Sequence, residues 1–194
     1  RLVAAGSDWS KARFSYQEYF ERMDKQAERF GQPVSALLGS IEAQIQLGLP
    51  SIGGKDSMSG TFEELTVPPT LVAFGVTTST AGRILSPEFK AAGESIYYLP
   101  GQVLSQDINF DLIKSNFENF ADIQAKYEIT AAAAVKYGGL AESLALMSFG
   151  NRIGAQVDVA ALPSVLQAQL GGFVFTSPEQ DIPGAVKIGQ TKPD

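Results

Sequence analysis

The sequence predicts a fold of the α/β or α+β class. Three observations support this prediction. Apolar residues recur every three or four positions in several segments, which is typical of helices. Short apolar runs bounded by turn residues indicate strands, and the two kinds of segment alternate along 194 residues with short loops between them. With 44% hydrophobic and 19% charged residues, the chain can bury a sizeable core in one large domain or two modest ones.

The first third of the chain predicts two helices. Apolar side chains repeat at helical spacing over 14–30 and again over 33–48. Ser15, with Glu18 three residues later, is typical of a capping box at a helix start. Gly31 is predicted to separate the two helices.

The remainder predicts alternating strands and helices. The nearly continuous apolar run at 71–76 favours a strand buried on both faces. Small, uncharged polar residues at 77–82 then indicate the domain boundary. The further predicted elements are strands at 95–99, 155–159, 173–176 and 185–189, and helices at 105–127, 140–149 and 163–169.

Composition excludes several classes of function. The net charge of −6 and the scattered Lys and Arg residues argue against a nucleic-acid partner and an anionic membrane. The chain has no Cys and no His, so disulfides, thiolate nucleophiles and common zinc sites are excluded, and any metal must be a hard cation bound by oxygen. No apolar run is long enough to span a membrane, which takes roughly 20 residues. Residues 1–6 lack the apolar core of a signal peptide, so we expect a cytoplasmic protein.

The segment 53–59 is the strongest candidate for a binding site. Two glycines allow close approach of the backbone, and Lys55, Asp56 and Ser57 then supply a cation, a carboxylate and a hydroxyl, which suit a phosphorylated or nucleotide ligand. It is not a P-loop, because Leu49 stands where the first glycine should be. A tight turn capped by Asp56 and Ser57 is the alternative. The candidate binding residues are Gly54, Lys55, Asp56 and Ser57.

The same segment resembles the glycine–lysine–aspartate–serine motif of the phosphoribosylformylglycinamidine synthase family. Four further segments resemble family motifs in collinear order. Residues 2–9 are similar to the stretch leading into "SANW", and 69–76 to a strand that closes a domain. Residues 138–151 resemble the "DGGL…LAEMAFAG" helix, and 169–174 the "ELGGV" strand.

This resemblance implies a fold, a domain division and a reaction. The fold would be similar to aminoimidazole ribonucleotide synthetase, with the later part of an A-type domain at 1–80 and a B-type domain, with a mixed sheet and flanking helices, at 81–194. The family's enzyme is an ATP-dependent ligase that uses ATP, Mg²⁺ and glutamine-derived ammonia. It converts formylglycinamide ribonucleotide to formylglycinamidine ribonucleotide in purine biosynthesis.

One departure from the family pattern lies before the double glycine. The family commonly has "D-x-S-D-G-G" there, whereas this chain has Ala134, Lys136 and Tyr137 at the three polar positions. An alanine cannot ligate Mg²⁺. Lys136 either places a charge where the cation would be or lies at a solvent-exposed rim. The following glycines are either a phosphate cradle or a close packing contact. The resemblance therefore implies nucleotide or substrate binding by Lys136, Gly138 and Gly139, with no metal ligand and no catalytic residue.

The resemblance also implies that the ligase has two halves, each with an A-type and a B-type domain, and that the second half holds an auxiliary nucleotide site. We therefore expect a piece of this second, auxiliary half, inactive by itself. Its expected partners are the first ligase half, the glutaminase and a small-molecule nucleotide. A second copy is a further expected partner, because a truncated A-type domain exposes a sheet edge. Two alternatives stay open. One is a non-enzymatic scaffold with a degenerate nucleotide site and no cofactor, and the other is a stand-alone protein of the aminoimidazole ribonucleotide synthetase type.

Overall fold

A computed structural model describes residues 1–160, 162 and 164–193. The chain forms two compact units: a small unit, Ser10–Thr78, and a large unit, Arg1–Trp9 with Ser79–Asp194. The border between Thr78 and Ser79 falls inside the polar stretch 77–82, while the first nine residues group with the large unit. The assignment of 1–80 and 81–194 to A-type and B-type domains stays a prediction.

The small unit is a three-stranded sheet with one long helix and a short hairpin. Its elements are β1 (Arg13–Tyr19), α1 (Ala27–Leu47), β2 (Ser51–Ser57), β3 (Thr61–Phe62), β4 (Leu65–Thr66) and β5 (Thr70–Val76). The strand order of the sheet is β2-β1-β5, with β2 parallel and β5 antiparallel to the central β1. The hairpin, β3 with β4, completes the unit.

The predicted helix over 14–30 is wrong. Its first part is β1, where aromatic and polar residues alternate and the backbone pairs with strands on both sides. Gly31, the predicted helix end, lies inside α1 together with the buried Pro33. The helix continues to Leu47, and its C-cap residue, Gly48, has a left-handed backbone conformation. The supposed capping residues Ser15 and Glu18 both lie in β1.

Two further predictions for the small unit need correction. The segment 53–59, for which a tight turn was the alternative interpretation, is largely β2, because residues of Ser51–Ser57 pair with β1. The predicted strand at 71–76 is confirmed as β5, but it is not buried on both faces. Phe74 is 47% exposed and Val76 is 53% exposed.

The large unit contains a five-stranded antiparallel sheet flanked by two helices. Its elements are β6 (Ser95–Leu99), β7 (Gln102–Val103), α2 (Phe110–Lys126), β8 (Ala131–Ala134), α3 (Gly139–Phe149), β9 (Gly154–Val157), β10 (Gln169–Leu170), β11 (Phe173–Ser177) and β12 (Val186–Lys192). The strand order of the sheet is β8-β11-β6-β12-β9. A short hairpin, β7 with β10, lies beside it. The sheet at 81–194, predicted to be mixed, is therefore antiparallel, whereas the small unit's sheet is mixed because β1 and β2 are parallel.

The core of the large unit lies on both faces of this sheet. On one face, Tyr97 and Phe173 pack with Phe120 of α2, whose ring stacks on Phe173 at 4.5 Å. On the other face, Tyr98 and Val174 belong to a second cluster with α3. Adjacent strand residues thus point to opposite sides, and the predicted fold class is confirmed.

Most predicted elements of the large unit are present. The strands at 95–99, 155–159, 173–176 and 185–189 and the helices at 105–127 and 140–149 are found with shifted ends. The predicted helix at 163–169 begins outside the described residues, and its described part contains no helix. No helix within the described residues is long and apolar enough to cross a membrane.

Candidate functional site

Strand β2 carries the predicted binding residues of the small unit on two different faces. Side chains alternate along a strand, so Lys55 and Ser57 lie on one face while Asp56 lies on the other. In the parallel register, Lys55 is opposite Gln17 and Asp56 is opposite Glu18. Register partners extend to the same face of a sheet, so Lys55 lies on the Gln17 face and Asp56 on the Glu18 face. A ligand on one face of the sheet therefore meets either the ammonium or the carboxylate.

On the first face, Lys55 is beside an aromatic ring. Its Nζ lies 5.6 Å from the ring centroid of Tyr19, a distance that allows a cation–π interaction. The Tyr19 hydroxyl donates a hydrogen bond of 2.8 Å to Gln17 Oε1. Lys55 is exposed, so its ammonium group is accessible to an anionic group such as a phosphate.

On the opposite face, Asp56 and Glu18 line a groove between the sheet and α1. The groove has a volume of about 490 Å³, and Tyr16 and Ser40 also line it. Burial raises the pKa of Glu18, and the negative charge of Asp56 raises it further. Gly54 belongs to this face, and a Cβ there would lie 2.9 Å from the Tyr16 carbonyl oxygen, so the glycine permits the two strands to approach.

Sequence reasoning missed Glu18 as a site residue. Its spacing from Ser15 predicts a helix cap, although it is the one carboxylate in a segment where aromatic and polar residues alternate. Period-two alternation was the local signal for a strand here. The position of Glu18 beside Asp56 depends on pairing with β2, which a local pattern does not show.

The second predicted set lies together at the start of α3, in the large unit. The backbone N–H of Gly138 donates a hydrogen bond of 2.9 Å to Glu142 Oε2. Lys136 Nζ lies 3.7 Å from Glu142 Oε1. The Glu142 carboxylate thus takes the position at a helix N-terminus that an anion commonly occupies.

Gly139 is a close packing contact. Its φ of +70° is in the left-handed region, and a Cβ there would lie 2.5 Å from the Val165 carbonyl oxygen. Its N–H donates to the Lys136 carbonyl at 3.2 Å, and the Ala141 N–H donates to Val165 at 2.9 Å. These donors of the first turn therefore have acceptors within the protein.

The position where the resemblance implies Mg²⁺ does not fit a metal. Ala134 ends β8 and offers only a methyl group. Among the residues that the structure describes, no group of three His, Cys, Asp or Glu side chains could hold a metal ion. The two predicted sets, around Lys55 and around Gly138, belong to different units.

A further cavity, of about 720 Å³, lies in the large unit and contains none of the predicted site residues. Trp9 lines it and packs edge-on against Phe117, with ring centroids 5.4 Å apart, a geometry that aromatic pairs prefer. Asp122, Glu118 and Glu128 also line this cavity.

The fold has relatives among solved structures. Thiamine monophosphate kinase from Aquifex aeolicus is 14% identical, with a TM-score of 0.58 over 98% of this chain and 74% of that one. PurL from Thermotoga maritima, complexed with ATP or with FGAR, is 14% or 13% identical, with a TM-score of 0.70 in both cases. The match to the ATP complex covers 100% of this chain and 35% of PurL. The match to the FGAR complex covers 99% of this chain and 37% of PurL. The chain therefore has the aminoimidazole ribonucleotide synthetase-like fold.

A curated protein is similar to this chain in sequence. The phosphoribosylformylglycinamidine synthase subunit PurL of Pyrobaculum aerophilum is 29% identical over 166 residues, covering 76% of this chain. The chain spans 23% of that protein's length. No family model matches the chain. The chain is PurL-like, so the resemblance found in its motifs is confirmed.

Proposed function

We propose that the chain is part of the ATP-dependent ligase that makes formylglycinamidine ribonucleotide from formylglycinamide ribonucleotide and glutamine in purine biosynthesis. The observation that carries the proposal is the 29% identity with a PurL subunit over 166 residues. Structures of T. maritima PurL with ATP and with FGAR support the class of ligand. The reaction is proposed for a larger, cytoplasmic protein, since the chain spans about a quarter of the curated relative's length.

Within that protein, we assign the chain to the auxiliary half, with a binding role and no catalytic residue. Lys55 would attract a phosphate group at the exposed edge of the sheet, and Ser57 would donate a hydrogen bond on the same face. The first ligase half and the glutaminase would supply the chemistry, and the PurLQS complex of T. maritima supports partner subunits of this kind. Pairing of a second copy along the β2 edge belongs to the same proposal.

Binding is tested by thermal unfolding of the chain with Mg-ATP and, separately, with formylglycinamide ribonucleotide. A ligand at 100 times its Kd adds about 2.7 kcal/mol to the stability of a single-site protein, so the Tm rises. The variant Lys55→Ala should lose most of this rise. Lys126→Ala is the matched control, because Lys126 lies on α2 in the large unit and pairs with Asp122.

A second function is favoured by the start of α3. Ala134 replaces a metal ligand, and the Glu142 carboxylate already accepts from the Gly138 N–H. These observations support a scaffold that binds no nucleotide and needs neither ATP nor Mg²⁺. If neither ligand raises the Tm, the scaffold is the better account. If a ligand raises the Tm and Lys55→Ala keeps the full rise, the ligand binds elsewhere and the binding role of the Lys55 face is excluded.

A further inference from the structure

Glu18 is a buried carboxylate without a partner. It is 4% exposed, and none of the described residues donates a hydrogen bond to its side chain or forms an ion pair with it. Burying an unpaired carboxylate costs free energy, and buried charges in proteins are usually paired or bound to a metal. The Glu18 oxygens are not among the fully enclosed unpartnered atoms of the described residues, so the carboxylate faces the open groove, where a cation can reach it.

A second carboxylate lies next to it. Asp56 is the register partner of Glu18 in the parallel pair β1–β2, so both side chains extend from the same face of neighbouring strands. Such strands are about 4.8 Å apart. Adjacent like charges repel each other, and the charge of Asp56 contributes to the raised pKa of Glu18. A cation between the two carboxylates would convert this repulsion into attraction.

The rest of the groove offers neutral oxygens and no available cation. The hydroxyl groups of Tyr16 and Ser40 line it. Ser40 donates its hydrogen to the Leu37 carbonyl at 2.8 Å, which leaves its oxygen able to accept or to ligate. Lys55 is the only Lys or Arg among the described lining residues, and its Nζ lies near Tyr19 on the opposite face.

We propose that Glu18 and Asp56 bind one hard divalent cation, such as Mg²⁺ or Mn²⁺, in the groove between β1, β2 and α1. Mg²⁺ keeps several water ligands and is usually bound by one or two carboxylates, so two acidic side chains suffice. The site differs from the position of Ala134 and needs no nucleotide. It does not depend on the proposed function.

The test is a titration of the ¹⁵N-labelled chain with MnCl2 in the absence of nucleotide. Paramagnetic Mn²⁺ should broaden the amide resonances of Glu18 and Asp56 first, and excess MgCl2 should restore them. Glu18→Gln and Asp56→Asn should each weaken Mn²⁺ binding at least about tenfold. Tenfold is the lower end of the usual loss of metal affinity when a group that only supports a metal site is removed. Glu42→Gln is the matched control, because Glu42 is an exposed carboxylate on α1 that does not line the groove.

Four outcomes would overturn the proposal: no binding of Mn²⁺, binding unchanged in a variant that combines Glu18→Gln with Asp56→Asn, broadening centred elsewhere in the chain, or displacement of Mn²⁺ by ammonium chloride as readily as by MgCl2. The last outcome would point to an amine as the ligand. Circular dichroism of each variant establishes that it is folded. Since ATP is absent, failure here would leave the thermal-shift test of the nucleotide site unaffected.

Discussion

Gly139 combines a left-handed backbone with a tight contact. Its φ is +70°, and a Cβ would lie 2.5 Å from the Val165 carbonyl oxygen. The left-handed backbone alone strains an L side chain by about 1–2 kcal/mol. We therefore expect Gly139→Ala to lower the free energy of unfolding by more than about 2 kcal/mol in urea titrations.

The control for this substitution is Gly39→Ala. Gly39 lies in α1, and the space within 4 Å of its ideal Cβ is empty. Alanine there should stabilise the chain by up to about 1 kcal/mol. Equal effects of the two substitutions would contradict the interpretation of Gly139 as a strained packing contact.

The pKa of Glu18 predicts how stability depends on pH. Burial and then the charge of Asp56 raise this pKa above that of the unfolded chain, about 4.3. The folded state therefore binds the proton more tightly, and the contribution of Glu18 to stability falls as pH rises from about 4 through its folded pKa. Besides Asp56, the titratable side chains that line the groove are Tyr16 and Lys55, and Lys55 Nζ lies near Tyr19 on the opposite face. The lining residues of α1 carry no charge.

Glu18→Gln removes this dependence. In the absence of divalent cations we expect the variant to be more stable than the wild type at pH 7 and equally stable below about pH 4. Urea titrations of both proteins across that range measure the difference. A difference that stayed constant with pH would show that Glu18 has no raised pKa.

At the scale of single residues, the chemistry of Lys55, Asp56 and Ser57 made them binding candidates, and their role stays a prediction. The sequence could not divide them between faces, because that requires knowing that they lie on a strand. Two consecutive glycines are typical of a loop, yet Gly54 serves close approach of β2 to β1, which is a long-range property. Glu18 was missed for the same reason.

Among the helices, α3 has an unusual start. Its N-cap residue, Gly138, has no side chain to accept hydrogen bonds, and the carboxylate of Glu142 accepts from the Gly138 N–H instead. We expect Glu142→Ala to destabilise the chain by about 1 kcal/mol, the usual cost of losing a cap. Glu118→Ala is the control, because Glu118 is an exposed carboxylate on α2 away from the helix start. Urea titration at low salt measures both effects, and equal losses would argue against the cap.

Elements with strong local patterns were predictable and those that depend on pairing were not. Strand β6 and helix α2 follow from short apolar runs and helical spacing, and each buries the face that its pattern marks. Strand β1 did not follow, because its aromatic residues also match a helical spacing and only the pairing with β2 and β5 decides between the two. Helix α1 passes through Gly31 and Pro33, whose local cost is overridden by packing, since Pro33 is buried.

At the scale of the whole molecule, buried apolar side chains are distributed unevenly. The two core clusters of the large unit contain nineteen buried residues, including Phe120, Phe173 and Phe175. The small unit buries few apolar side chains, among them Phe20 and Leu49, and exposes an apolar stripe along α1. Apolar burial is the dominant favourable term in folding, at about 25 cal/mol per Å². The large unit should therefore be the more stable of the two.

Hydrogen exchange followed by mass spectrometry measures this difference. Amides that exchange only on global unfolding belong to the most stable region of a protein, and locally unfolding segments exchange sooner. We expect amides of β6 and β11 to exchange most slowly and those of α1 and β2 to exchange earlier, since β2 is an edge strand with mostly exposed residues. Saturating Mn²⁺ should slow exchange in β1 and β2 while leaving β11 unchanged, because the proposed cation contacts only the small unit. Protection of α1 equal to that of β11 without metal would show that apolar burial does not set the order of unfolding in this chain.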